Sequence, residues 1–155
     1  MFNAITITTV RVLDQDEALD FYVGKLGFTI DTDVDMGFMR WLTISLPSDP
    51  GRQLLLEVPG PPAMSAETGA QVRDLLTKGA LGSAAILSTD DCQHVYDTLT
   101  AQGVEFTQGV EKQPYGIDCA FRDPFGNHIR VTQFAEQPVA VTDADRARWS
   151  GTAPS

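Results

Sequence analysis

The chain has 155 residues, 43% of them hydrophobic, which suits one domain with a substantial core. Eleven Lys and Arg against 21 Asp and Glu leave a formal charge of −10. That balance excludes a basic phosphate-binding face and an anionic membrane surface, so neither nucleic acid nor membrane is expected as a partner. No apolar run is long enough to span a bilayer, and residues 1–10 carry no cationic segment ahead of their apolar side chains. A cytoplasmic protein without a secretory leader is therefore expected.

Residues 5–12 read as a strand rich in β-branched side chains. Asp14 follows, with Glu17 three positions on, the pattern of a helix N-terminus. Leu19, Tyr22, Val23 and Leu26 then fall at helical spacing, and Gly27 supplies the stop. Phe28 and Ile30 begin an alternating strand. Another strand, a turn at Asp49-Pro50-Gly51 and a final strand over 53–58 complete this stretch. Residues 59–62 are Pro-rich, and a short helix is expected over 72–78, ended by Gly79.

The same order then returns. Residues 84–88 read as a strand, Asp90 and Gln93 repeat the capping pattern, and Cys92, Val95, Tyr96 and Leu99 form the helical stripe before Gly103. Val104 and Phe106 start the next strand, and a turn at Asp123-Pro124-Phe125-Gly126 leads into a last strand over 128–134. The tail over 138–155 is polar apart from Trp149. Thr142 to Asp145 is a candidate cap for a short helix, and the last residues are expected to lack a fixed element. Cap and stop lie thirteen residues apart in both copies, from Asp14 to Gly27 and from Asp90 to Gly103. An internal repeat of this kind decides the fold. The expectation is α+β, two βαβββ modules in a single domain over 1–155. Module 1 covers about 3–59, the connection 60–80, module 2 about 81–135 and the tail 136–155.

Strand parity nominates the site. In 53–58, Leu54, Leu56 and Val58 form one apolar face suited to a helix layer, while Gln53, Leu55 and Glu57 face the other way. In 128–132, Ile129 and Val131 oppose His128, Arg130 and Thr132. Ile5, Ile7, Thr9 and Arg11 would line the first strand, with Ala84, Ile86 and Ser88 opposite. Glu57 is a candidate general base, or a structural carboxylate paired with Arg130 or Arg11. Arg130 is a candidate anchor for a ligand carboxylate or phosphate, or the other half of that ion pair. His128 is a candidate proton shuttle, or an exposed hairpin histidine. Trp41 and Tyr115 either stack on a ligand or pack against protein. Asp118 alternates with Ile117 and Cys119, which puts it on the same face as the site. Cys92 and Cys119 form no CxxC pair and read as reduced, partly buried thiols; Cys119 lacks an evident base partner for nucleophilic work. No GxGxxG, P-loop, GxSxG or HExxH occurs.

The stretch DQDEALDFYVGKLGF from Asp14 to Phe28, and DPFGN from Asp123 to Asn127 followed by an apolar strand and Gln133, resemble the vicinal-oxygen-chelate superfamily of glyoxalase I, bleomycin-resistance proteins and extradiol dioxygenases. The resemblance covers residues 5–134. It implies two sheets curled into a partly open cup with helices outside, completed by pairing modules within or between chains, and a homodimer is expected. It also implies four inward positions for metal ligands. These fall on Ile7, on Glu57 with Leu55 the other candidate in register, on Ala84 and on Arg130. Only Glu57 among the four assigned residues has donor atoms for a metal, so no metal and no cofactor are expected. The resemblance then implies a metal-independent binder of a small organic molecule, of the drug-sequestering or metabolite-binding kind. Its expected ligand contacts are Arg130, Glu57, Ile7, Thr9, Arg11, Ala84, Ile86, Trp41, Tyr115 and His128. A lyase, isomerase or epimerase with Glu57 as base, and a dimeric accessory protein without a small ligand, stand as alternatives.

Overall fold

The computed structural model describes residues 1–136 and 142–149. β1 (Ile7–Arg11), α1 (Gln15–Tyr22), β2 (Thr29–Asp35), β3 (Arg40–Leu46) and β4 (Asp49–Glu57) form the first module. After α2 (Ala66–Thr77), the second repeats the order as β5 (Ser83–Ser88), α3 (Cys92–Ala101), β6 (Phe106–Gln113), β7 (Gly116–Arg122) and β8 (His128–Phe134). A short α4 (Asp143–Trp149) follows. Each module folds into a four-stranded sheet, ordered β1-β4-β3-β2 and β5-β8-β7-β6. The first strand pairs parallel with the last, across the helical crossover, and the remaining pairs are antiparallel. The fold is α+β, built on the internal repeat, and the two sheets are not closed onto each other.

Several local expectations are corrected. α1 starts where the Asp14 side chain accepts from the Glu17 N–H at 2.8 Å, as its spacing predicts. The cap of α3, however, is Asp91 and not Asp90, because Asp91 Oδ1 accepts from the His94 N–H at 2.9 Å. Thr89 decides between the neighbours: its hydroxyl accepts from the Asp91 N–H at 3.2 Å and holds that residue in the extended conformation a cap needs. The first hairpin turns at Pro47 and Ser48, so Asp49 to Gly51 already belong to β4. A register shift beside Leu46 absorbs Pro50, which has no N–H for the ladder. α2 begins six residues before the expected 72, capped by the Ser65 hydroxyl, which accepts from Thr68 N–H at 3.1 Å. It ends before Gly79, whose φ of 67° is the left-handed stop. Thr142 precedes the first turn of α4, with its carbonyl accepting from the Arg146 N–H at 3.0 Å. The expectation of an unstructured end concerns residues 137–141 and 150–155, which lie outside the described residues.

Both modules share one core. Val10 and Val12 of the β1 stretch, Leu42 and Ile44 of β3 and Leu56 of β4 join Phe121 of β7 and Ile129 and Val131 of β8 in a single buried cluster. Ala18, Phe21 and Tyr22 of α1, and Cys92 and Leu99 of α3, lie in the same cluster. Each sheet therefore turns one face to the helices and the other outward, as the parity of 53–58 and 128–132 predicts. Phe21 crosses the module boundary to Phe121, with ring centroids 6.1 Å apart. Beside it, Tyr22 donates to Asp123 at 2.8 Å, and Asn127 donates to the Arg11 carbonyl at 2.7 Å. The DPFGN turn is thus the tie between the modules, because Asp123 also gathers the N–H groups of Phe125, Gly126 and Asn127.

Candidate functional site

The helix-free face of the first sheet is laid out by register. Arg11 lies opposite Glu57, Thr9 opposite Leu55 and Ile7 opposite Gln53, while Thr43 of β3 sits on the far side of Leu55. Arg11 and Glu57 form an ion pair with side chains 27% and 14% exposed. Glu57 is thus engaged by Arg11 rather than Arg130, the structural pairing that the sequence offered beside catalysis. Trp41 is half-buried on β3 next to Val34. The Thr43 hydroxyl is enclosed on this face without a hydrogen-bond partner among the described residues. Ile7 remains 41% exposed, and Ile5 lies before β1, at 75%.

The corresponding face of the second sheet carries a denser arrangement. Ile86 of β5 lies opposite Arg130, Arg130 opposite Ala120 and Ala120 opposite Gln108, so one row crosses all four strands. Asp118 is one step along, opposite Thr132, and is completely enclosed. Its Oδ1 accepts from the Gln108 amide at 2.6 Å. Its Oδ2 accepts from the Tyr115 hydroxyl at 2.6 Å and forms an ion pair with Arg130 Nη1. Burial pushes the Asp118 carboxyl up, but the hydrogen bonds from Tyr115, Arg130 and Gln108 together outweigh it and hold the group below the usual range. The bond to Asp118 raises the Tyr115 phenol.

The structure thus brings Arg130, Tyr115 and Ile86 together, whereas Ala84, expected beside them, falls at the register shift between Ser83 and Ala85 and packs against the core. It places Ile7, Thr9, Arg11, Glu57 and Trp41 on the other sheet. Each charge is paired within its own sheet. His128 leaves the site: its ring lies 3.1 Å from the Gly79 carbonyl and serves the junction of α2 with β5. Gln108 was not found by sequence reasoning. It sits in a polar strand with no distinguishing pattern, and register shifts on both sides of it decide which way it points. Cys92 and Cys119 are wholly buried and free, with sulfurs 3.4 Å apart. Burial, and then the neighbouring Cys92, push the Cys119 thiol up to about 12, so it is no nucleophile at neutral pH.

Register also decides between the two candidates for one metal position. Thr9, opposite Leu55, lies five residues before its cap Asp14, and Ile86, opposite Arg130, lies five before Asp91. Leu55 is therefore the counterpart of Arg130, and Glu57 that of Thr132. The four positions hold Ile7, Leu55, Ala84 and Arg130. Three are hydrocarbon, and a guanidinium has no lone pair to give, so these residues do not fit a divalent cation.

A solved neighbour, UcmS2, superposes with a TM-score of 0.80 at 36% identity, covering 85% of this chain and 98% of its own. TnmS3, an antibiotic binding protein from Streptomyces sp. CB03234, gives 0.69 at 28% identity, covering 86% and 98%. Protein YurT of Bacillus subtilis is 36% identical over 130 residues, 83% of this chain and 98% of its own length. The profile of the Glyoxalase/Bleomycin resistance protein/Dioxygenase superfamily matches residues 4–131, and the chain belongs to that superfamily.

Proposed function

We propose that this protein binds a small, oxygen-bearing organic molecule without a resident metal, in a cup that two copies of the chain complete. The observation that carries the reading is Arg130. It stands where the superfamily places a metal ligand, on an open sheet face, with its guanidinium fixed by a buried carboxylate. A fixed positive group at that place takes over the part a cation would play toward a ligand oxygen. The antibiotic-binding neighbour supports sequestration of a drug-like compound as the biological use. Catalysis by Glu57 gains no support, because its carboxylate is already held by Arg11.

The open faces need a cover, and a second copy supplies one. Ile86 and Phe134 are 61% and 57% exposed, on strand positions shared with Arg130. Because the modules are repeats, setting the first sheet of one copy over the second sheet of another makes two equal cups by one twofold axis. Light scattering at micromolar concentration is expected to give a dimer, and a monomer there rules out the shared cup. Within the dimer, an antibiotic panel screened by thermal denaturation is expected to yield compounds whose Tm increase grows with the logarithm of ligand concentration. Elemental analysis of the purified protein is expected to find no stoichiometric zinc, nickel, iron or manganese. Stoichiometric metal, or a panel without any stabilising compound, overturns the reading.

A further inference from the structure

We infer that Asp118 is a positioning residue that neutralises Arg130 and makes the cup select neutral carbonyl oxygens over carboxylates, an inference that rests on the small-molecule reading above. Asp118 is 0% exposed, and both of its oxygens are taken by Gln108, Tyr115 and Arg130. Arg130 is different: its side chain is 35% exposed. Its contacts with Asp118 and Gln108 both use Nη1, and it also meets the Tyr115 hydroxyl. The guanidinium is held on its Asp118 and Tyr115 side, and its partial exposure leaves N–H groups toward the open face.

The charge of that offering is what matters. Arg130 and Asp118 together sum to zero, and they are in direct contact. A ligand carboxylate docking on Arg130 arrives within a few ångströms of the Asp118 charge and meets repulsion that cancels much of its attraction. A ketone or quinone oxygen accepts the same N–H groups without that repulsion. The surroundings favour a flat apolar body on such a ligand. Ile86 lies in register beside Arg130, and Phe134 is on the same face of β8. The Tyr115 ring is anchored by its own hydroxyl on Asp118. Asp118 thus sets the place of Arg130 and Tyr115 and the charge of the pocket at once.

The test uses two nearly isosteric probes, 2-acetonaphthone with a ketone and 2-naphthoate with a carboxylate, titrated calorimetrically into the dimer. Wild type is expected to bind the ketone more tightly than the acid. Asp118→Asn unmasks the Arg130 charge and is expected to reverse the order, with a gain for the acid on the order of tenfold. Asp118→Ser, smaller and still able to accept from Gln108, is the second variant if the first does not fold. A purely structural Asp118 would weaken both probes alike. An unchanged ratio in the Asp118 variants overturns the inference, and so does a wild type that prefers the acid or binds neither probe. Arg130→Gln separates this from the broader reading. Loss of both probes there keeps the cup site, whereas wild-type binding of both in that variant sinks the site and the inference together.

Discussion

Asp123→Ala is expected to lower stability by about 3–5 kcal/mol, a large part of what a domain of this size possesses. Asp123 is 5% exposed and takes hydrogen bonds from five donors. Its Oδ1 serves the N–H groups of Phe125, Gly126 and Asn127 at 3.0, 3.0 and 2.9 Å. Its Oδ2 serves the Tyr22 hydroxyl at 2.8 Å and the Asn127 amide at 2.6 Å. Alanine strands these donors in a buried turn, where each lacks water as a substitute partner. The loss also reaches between modules, since Tyr22 belongs to α1 and the Asn127 amide holds the Arg11 carbonyl as well. Asp123→Asn keeps one acceptor oxygen and is expected to cost less, about 1–3 kcal/mol. Urea denaturation followed by circular dichroism measures both. A loss below about 1 kcal/mol for the alanine variant would show that the turn is held by something other than this carboxylate.

The repeat was legible because each module punctuates itself: a cap, an apolar stripe at helical spacing, a glycine at positive φ. Gly27 and Gly103, at φ of 78° and 79°, are the two copies of that stop. Face assignments followed from strand parity, which is local, and Leu56 and Ile129 are buried as parity requires. What failed needed information from other segments. Asp90 and Asp91 are chemically identical neighbours, and the choice between them rests on a hydroxyl contact from Thr89. The pairing of Asp118 with Arg130 depends on which residues of β7 and β8 lie side by side, and Gln108 joins them only because β6 is irregular. A sequence prints neither register nor bulges. His128 misled for a related reason: parity aims it at the cup, but it stands at the first position of β8, within reach of the Gly79 carbonyl.

Arg130→Ala is expected to cost about 3 kcal/mol near neutral pH, and progressively less in acid. The variant leaves Asp118 fully enclosed, without its counter-ion, and an uncompensated buried charge typically costs 3–5 kcal/mol. Arg130 is 35% exposed, so solvent screens the pair and the lower figure, about 3 kcal/mol, applies. The pH dependence follows from the direction in which Asp118 titrates. In wild type its folded value is depressed, so it contributes stability that is present above the unfolded carboxyl range, about 4, and is lost as pH falls through the folded value. Without Arg130, only Gln108 and Tyr115 oppose the burial that pushes this group up, and its folded value rises. A raised carboxyl penalises the fold at pH values where the group ionises, and the penalty fades as acid protonates it. The gap between wild type and variant is therefore widest near neutrality and narrows toward pH 4. Arg130→Lys keeps the charge and is expected to retain most of the stability. Adding Asp118→Asn to Arg130→Ala removes the stranded charge and is expected to restore much of the loss, a coupling that a double-mutant cycle reads directly. A gap between wild type and Arg130→Ala that stays constant from pH 7 to pH 4 would mean that Asp118 does not carry its charge in the folded protein.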